Sequence, residues 1–180
     1  MADRDLIQLP EGLRQLPPPT QLNLRGDPGD EAFLMTVKSL TGIDLPVTPN
    51  KVATGKDVKA LWLSPDEWLI VCETPQADLA GKLEEALKGQ HVAVNDLSAN
   101  RIVFELSGPY CREVLMKCCE MDFHPRVFQP GDCAQTLIAK SQAIIEQTDA
   151  AVFHIYVRCS FSRYVGGWLA EALAGYLLGK

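Results

Sequence analysis

Apolar residues along this chain recur with two different periods, and the switches between them outline the elements. Residues 21–25 alternate as a short strand, after which Asp30 stands where a helix cap belongs. Phe33, Leu34, Val37 and Leu40 then fall on one helical stripe that Gly42 stops. Beyond Pro46 and Pro49, residues 58–63 and 68–72 read as a hairpin around Ser64-Pro65-Asp66-Glu67. A helix over 76–88 carries Leu79, Leu83, Ala86 and Leu87 at helical spacing and closes at Gly89, and residues 91–97 suit another strand. The order is βαββαβ.

That order then restarts. Residues 102–106 alternate, Gly108-Pro109 opens a helix, and Cys111, Val114, Leu115 and Cys118 fall at i, i+3, i+4 and i+7. Strands are predicted over 134–139, 143–147 and 152–158. A last helix from Phe161 follows, with Tyr164, Val165, Trp168, Leu169, Ala172 and Tyr176 along its stripe. Local likeness supports a repeat: "FLMTVKSLTGIDLP" resembles "EVLMKCCEMDFHP", and "LAGKLEEAL" resembles "VGGWLAEAL". The expected fold class is α+β with duplicated βαββαβ-like (ferredoxin-like) halves, about 20–97 and 98–180. Ahead of them, residues 1–19 hold Pro10 and Pro17-Pro18-Pro19, which favour an extended arm, either a loose leader or a segment laid on a partner.

The hairpin poses a particular question, because it carries Trp62 and Trp68. With a four-residue loop, Leu63 pairs with Trp68 and Trp62 with Leu69, which sends the two rings to opposite faces. Both faces are apolar, so the hairpin needs cover on each side, and its own helices supply only one. The tryptophans therefore read as packing rather than as the lining of a pocket.

Composition narrows the partners. Seventeen Lys plus Arg stand against 23 Asp plus Glu, a formal charge of −6, with no basic run. Nucleic acid and anionic membrane both reward clustered cations and are not expected. The beginning MADRDLIQLPEG has no apolar run of signal-peptide length, and no stretch reaches the ~18 apolar residues of a membrane helix, so a cytoplasmic address is expected. Six cysteines then read as thiols, and Cys111 and Cys118 as core. No C-x-x-C or H-x-x-x-H spacing suggests metal, and no glycine-rich phosphate loop, G-x-S-x-G elbow or close carboxylate pair suggests catalysis. His124-Pro125-Arg126 is the most polar segment of the second half. It suits either a ring and guanidinium shown to a partner or a satisfied structural loop.

Three stretches carry a family resemblance: "LWLSPDEWLIV", "NDLSANRIVFELSGPYCREVLMKCCEMDFHPRVFQPGDCAQTLIAKSQAIIEQTD" and "FHIYVRCSFSRYVGGWLAEAL". Together they resemble the gamma subunit of heterotetrameric sarcosine oxidase over roughly residues 20 to 176. The resemblance implies a small, non-catalytic subunit with an assembly role in oxidative demethylation of sarcosine to glycine. It further implies alpha, beta and delta subunits as partners, with FAD, FMN, NAD, zinc and tetrahydrofolate on those subunits and none bound by this chain. No catalytic, cofactor-binding or metal residue is expected. The partner interface would draw on His124, Pro125, Arg126, Arg158, Phe161 and Arg163. That family is similar in turn to the folate-binding domain of glycine-cleavage aminomethyltransferase, which implies a domain of that type here. Asp96, Ser98, Gly108 and Pro109 match its pattern, whereas Ala99 replaces a histidine and Ile145-Glu146-Gln147 stands in the Ile-Asp-Asp place. The alternative is a stand-alone tetrahydrofolate-binding protein of the aminomethyltransferase type, or an interaction module that meets no oxidase.

Overall fold

The computed structural model describes residues 9–74, 76 and 78–177. The chain divides into two units, the first made of residues 17–101 with 131–134, the second of the remainder. Strand β1 (Leu13–Gln15) belongs to the second.

In the first unit β2 (Thr20–Arg25) leads to α1 (Glu31–Thr41), β3 (Val52–Thr54), β4 (Val58–Ser64), β5 (Glu67–Cys72), α2 (Leu79–Ala86) and β6 (Ala93–Asp96). The sheet runs β3-β4-β5-β2-β6, and each neighbouring pair is antiparallel. Helix α1 begins and ends where its residues dictate. The Asp30 carboxylate accepts from the amides of Ala32 (2.9 Å) and Phe33 (3.3 Å), and Gly42, at φ 75°, donates to the Lys38 carbonyl. That left-handed φ suits glycine, which ends the helix without a Cβ penalty. Phe33 and Val37 from α1 and Leu79 and Leu83 from α2 bury against Leu22, Leu24, Trp68 and Ile70 of the sheet.

The tryptophans differ from expectation. Trp62 pairs directly with Trp68, and the ladder shifts between Trp62 and Ser64, where Ser64 pairs with Glu67. The turn is therefore two residues long, Pro65-Asp66, and Leu63 is the extra residue of a bulge. Cross-strand partners share a face, so both rings lie on the helix side. Trp68 is fully buried, 5.9 Å from the Phe33 ring, and its Nε1 donates to the Pro46 carbonyl at 2.8 Å. Trp62 packs at the border of the same core. On the opposite face Leu61, Leu69 and Val71 are buried as well.

In the second unit β7 (Arg101–Ser107) is followed by α3 (Cys111–Cys118), β8 (Cys133–Ile138), β9 (Ser141–Asp149) and β10 (Val152–Arg158). A turn of 3-10 helix (Cys159–Phe161) then leads into α4 (Ser162–Leu177). The sheet order is β1-β7-β10-β9-β8. Substituting β8 for β3, β9 for β4, β10 for β5, β7 for β2 and β1 for β6 turns one order into the other, and α3 and α4 take the places of α1 and α2. The two sequence likenesses fall on these equivalent helices. Leu79, Leu83 and Leu87 align with Val165, Leu169 and Leu173, and all six are buried. Met35 and Met116 also align, and both are exposed.

Two expectations are corrected in this unit. Within the segment expected as an arm, Leu13–Gln15 pairs antiparallel with β7, Leu13 opposite Leu106. Ser107 donates to the Gly12 carbonyl at 2.7 Å, and a Cβ on Gly12 would lie only 2.7 Å from the Ser107 oxygen. The first eight residues of that arm lie outside the described residues. The α4 stripe also divides. Val165, Gly166, Leu169 and Leu173 face the core, while Phe161, Tyr164 and Trp168 face out. Among the described residues no helix is long and apolar enough to cross a membrane.

Candidate functional site

The His124-Pro125-Arg126 segment is a turn built on two buried rings. Phe123 and Phe128 sit edge to face at 5.5 Å, and each packs near Phe153 of β10. Between them the Asp122 carboxylate accepts from the His124 amide (2.8 Å) and the His124 carbonyl accepts from the amides of Val127 (2.8 Å) and Phe128 (3.0 Å). His124 Nδ1 accepts from the Arg126 amide at 3.2 Å. From α3, the Arg112 guanidinium donates to the carbonyls of Phe123 and Phe128 and lies 5.3 Å from the Phe153 ring centroid. Arg112 thus ties both ends of the turn to the helix, and a charged donor makes these bonds stronger than neutral ones. Four consecutive residues, His124 to Val127, are left exposed. Arg112 was not foreseen, because on a helical wheel it reads as a solvated charge.

Arg158, Phe161 and Arg163 gather where β10 passes into α4, and all three are exposed. Sequence reasoning placed Tyr164 and Trp168 in the core, but they join this outward face. Phe161, Tyr164 and Trp168 are 43%, 38% and 44% exposed, well above what aromatic rings show in a packed interior. The Tyr164 and Trp168 rings meet edge to face at 6.4 Å. A Cβ on neighbouring Gly167 would meet nothing within 4 Å, so the space beside Trp168 is open.

The second unit also holds a polar ladder across its sheet, on the face opposite the Phe153 side. Arg14 of β1 clasps Glu105 of β7 with two bonds (2.7 and 3.0 Å), and His154 Nε2 lies 3.4 Å from the same carboxylate. His154 pairs in register with Glu146 of β9. The Tyr156 hydroxyl donates to Glu146 Oε2 at 2.6 Å, and Glu146 is only 3% exposed. The hydrogen bond from Arg14, opposed by partial burial, holds the Glu105 carboxyl below its ordinary range. Gln147 is fully buried, and its amide donates to the carbonyl of Asp149 at 2.9 Å. Elsewhere Asp96 accepts from the Ser98 amide at 2.8 Å, and the Ser98 hydroxyl accepts from the Gln21 amide at 3.0 Å, so the Asp96-Leu97-Ser98 match forms a turn. Gly108 takes a φ of 106° ahead of α3.

Reactive chemistry is muted among these groups. Five of the six thiols are buried. Burial pushes Cys72 up to about 11 and raises Cys111 and Cys118, which keeps these three protonated and weakly nucleophilic near neutrality. Among the described residues no group of three or more His, Cys, Asp or Glu could hold a metal ion.

Two like sheets, each backed by two helices and presenting surface turns rather than reactive groups, define a fold before they define a protein. That fold is shared with the glycine cleavage system aminomethyltransferase T from Bartonella henselae, at TM-score 0.64 and 16% identity over 88% of this chain and 45% of that one. At this identity the likeness is one of architecture. The chain belongs to the sarcosine oxidase gamma subunit family, whose model matches residues 25–175. It is 36% identical to the sarcosine oxidase subunit gamma of Corynebacterium sp. (strain P-1) over 165 residues, 91% of this chain and 80% of that protein. The Arthrobacter sp subunit is 35% identical over the same shares. Among solved structures, a chain of the heterotetrameric sarcosine oxidase from Corynebacterium sp. U-96, in complex with pyrrole 2-carboxylate, superposes at TM-score 0.85. It is 34% identical, over 91% of this chain and 84% of that one.

Proposed function

We propose that this chain is the small, non-catalytic gamma subunit of a heterotetrameric sarcosine oxidase and contributes to its assembly. The observation that carries the reading is the close superposition, over nearly the whole chain, on a subunit of such an enzyme. The alpha, beta and delta subunits would be its partners and would hold FAD, FMN, NAD, zinc and tetrahydrofolate. A cytoplasmic location belongs to the same reading, supported by six cysteines held as thiols, a state that a reducing compartment maintains.

The place where the aminomethyltransferase pattern has Ile-Asp-Asp does not fit a folate amine here. The Glu146 carboxylate is buried against the Tyr156 hydroxyl, and the Gln147 amide is bonded to its own hairpin. Neither presents a charged acceptor to a ligand, which disfavours a stand-alone folate enzyme. The partner surface of this proposal consists of His124, Pro125 and Arg126 on one turn and Arg158, Phe161 and Arg163 on the other. Co-expression with the three larger subunits tests the reading: a tagged copy of this chain should retrieve a complex that oxidises sarcosine. Full assembly and full activity in its absence would overturn it.

A further inference from the structure

The outward face of α4 differs from the rest of this surface in two independent ways. Its three rings, Phe161, Tyr164 and Trp168, follow one another over about 10 Å of helix and turn, each more than a third exposed. Its charge is also of the opposite sign to the chain as a whole. The protein carries −6, yet residues 158–171 hold two exposed arginines, Arg158 and Arg163, against one exposed carboxylate, Glu171, which follows Trp168 by about one turn. Exposed Trp, Tyr and Arg together are the residues that dominate binding energy when a partner desolvates them. Two arginines are too few to grip an anionic membrane or a nucleic acid by charge alone.

We infer that the α4 face is the anchor by which this chain docks on another subunit of its complex, onto a protein surface with an apolar hollow rimmed by carboxylates. The inference rests on the functional reading above and deepens it by adding Tyr164 and Trp168 as the anchors and by naming the partner's chemistry. Trp168 and Tyr164 fill the hollow, with the open space beside Gly167 admitting a close approach. Arg158 and Arg163 form the cationic rim, where opposite charge sets register and speeds encounter.

The test measures binding of the purified chain to the three larger subunits expressed together, as a function of salt, for wild type and four variants. W168A should weaken binding about 30-fold or more. R158E/R163E should weaken it at least tenfold, with the largest difference at low salt, while R158K/R163K retains most of the affinity. M35A, at a still more exposed apolar residue of the first unit, should bind as wild type. Melting of each isolated variant near the wild-type temperature verifies folding, and R158E/R163E serves even where W168A melts early. Tight binding of both W168A and R158E/R163E overturns the inference while leaving the functional reading intact. So does a self-dimer that W168A dissolves while the complex stays whole. A wild-type chain that joins no oxidase sinks the functional reading and this inference with it.

Discussion

Compared strand by strand, the two units reach one sheet order by different routes. In the first unit the outer strand β6 follows α2 directly, whereas in the second the same position is filled by β1, from the other end of the sequence. What β7 requires is a hydrogen-bonding neighbour for its open edge, and chain order is indifferent to where it comes from. The sheet faces opposite the helices have also diverged. The first unit buries Leu61, Leu69 and Val71 there, and the second builds the ladder from Glu105 through His154 to Glu146 and Tyr156. Duplication explains the architecture of this molecule, and substitution on that architecture explains its chemistry.

The largest expected effects probe what the units share. Trp68→Ala in the first unit and Phe153→Ala in the second each remove a fully buried ring and should cost about 3–5 kcal/mol by urea unfolding. Hydrogen exchange would then assign each loss to its own unit, and protection lost equally across both would break the comparison. Next comes the ladder, which the first unit lacks. Tyr156→Phe withdraws the hydroxyl from the buried Glu146 carboxylate and should cost about 1–3 kcal/mol in the same assay.

Smaller effects separate the helix starts. Asp30→Ala removes two amide bonds from α1 and should cost about 1 kcal/mol. Asp78 precedes α2 but makes no capping bond, so Asp78→Ala should stay within about 0.5 kcal/mol. The clasp on β1 should show as a pH dependence. Glu105 titrates lower in the folded chain than in the unfolded one, so its contribution is present above the ordinary carboxylate range and fades as pH falls through the folded value. Arg14→Ala should therefore flatten the acid side of a plot of urea midpoint against pH, below about pH 4. Smallest of all, Cys159 is the one exposed thiol and should be alkylated first, with the five buried thiols protected until unfolding, as read by mass spectrometry.

Long elements with strong periodicity were legible in the sequence, and the α1 boundaries followed from Asp30 and Gly42. The three-residue strands β1 and β3 were not, because neither is long enough to express a period. The facing of the two tryptophans failed on a single bulge at Leu63, since one extra residue reverses side-chain alternation. On α4 the apolar stripe is wider than the buried face, and Gly166 lies on the buried side. Hydrophobicity alone could not show that Trp168 belongs to the surface. Sequence did indicate the turn at His124 and the bend at Arg158, since proline, arginine and histidine between apolar runs mark exposed connections. The ladder left only a faint signal: Glu146, His154 and Tyr156 stand at alternate positions of otherwise apolar strands, which demands polar partners on one face.

Because Leu13 is opposite Leu106, the two units cannot be completed in the same order during translation. All five strands of the first sheet are contained in residues 20–96, so that sheet can close early on the ribosome. The segment around Leu13 must wait, unpaired, until β7 has emerged, and long-range pairing of this kind is slow and open to aggregation. The proline triplet just after it disfavours a helix in the waiting stretch, and the sheet it joins, which needs strands out to Arg158, can close only after every strand of the first sheet has emerged.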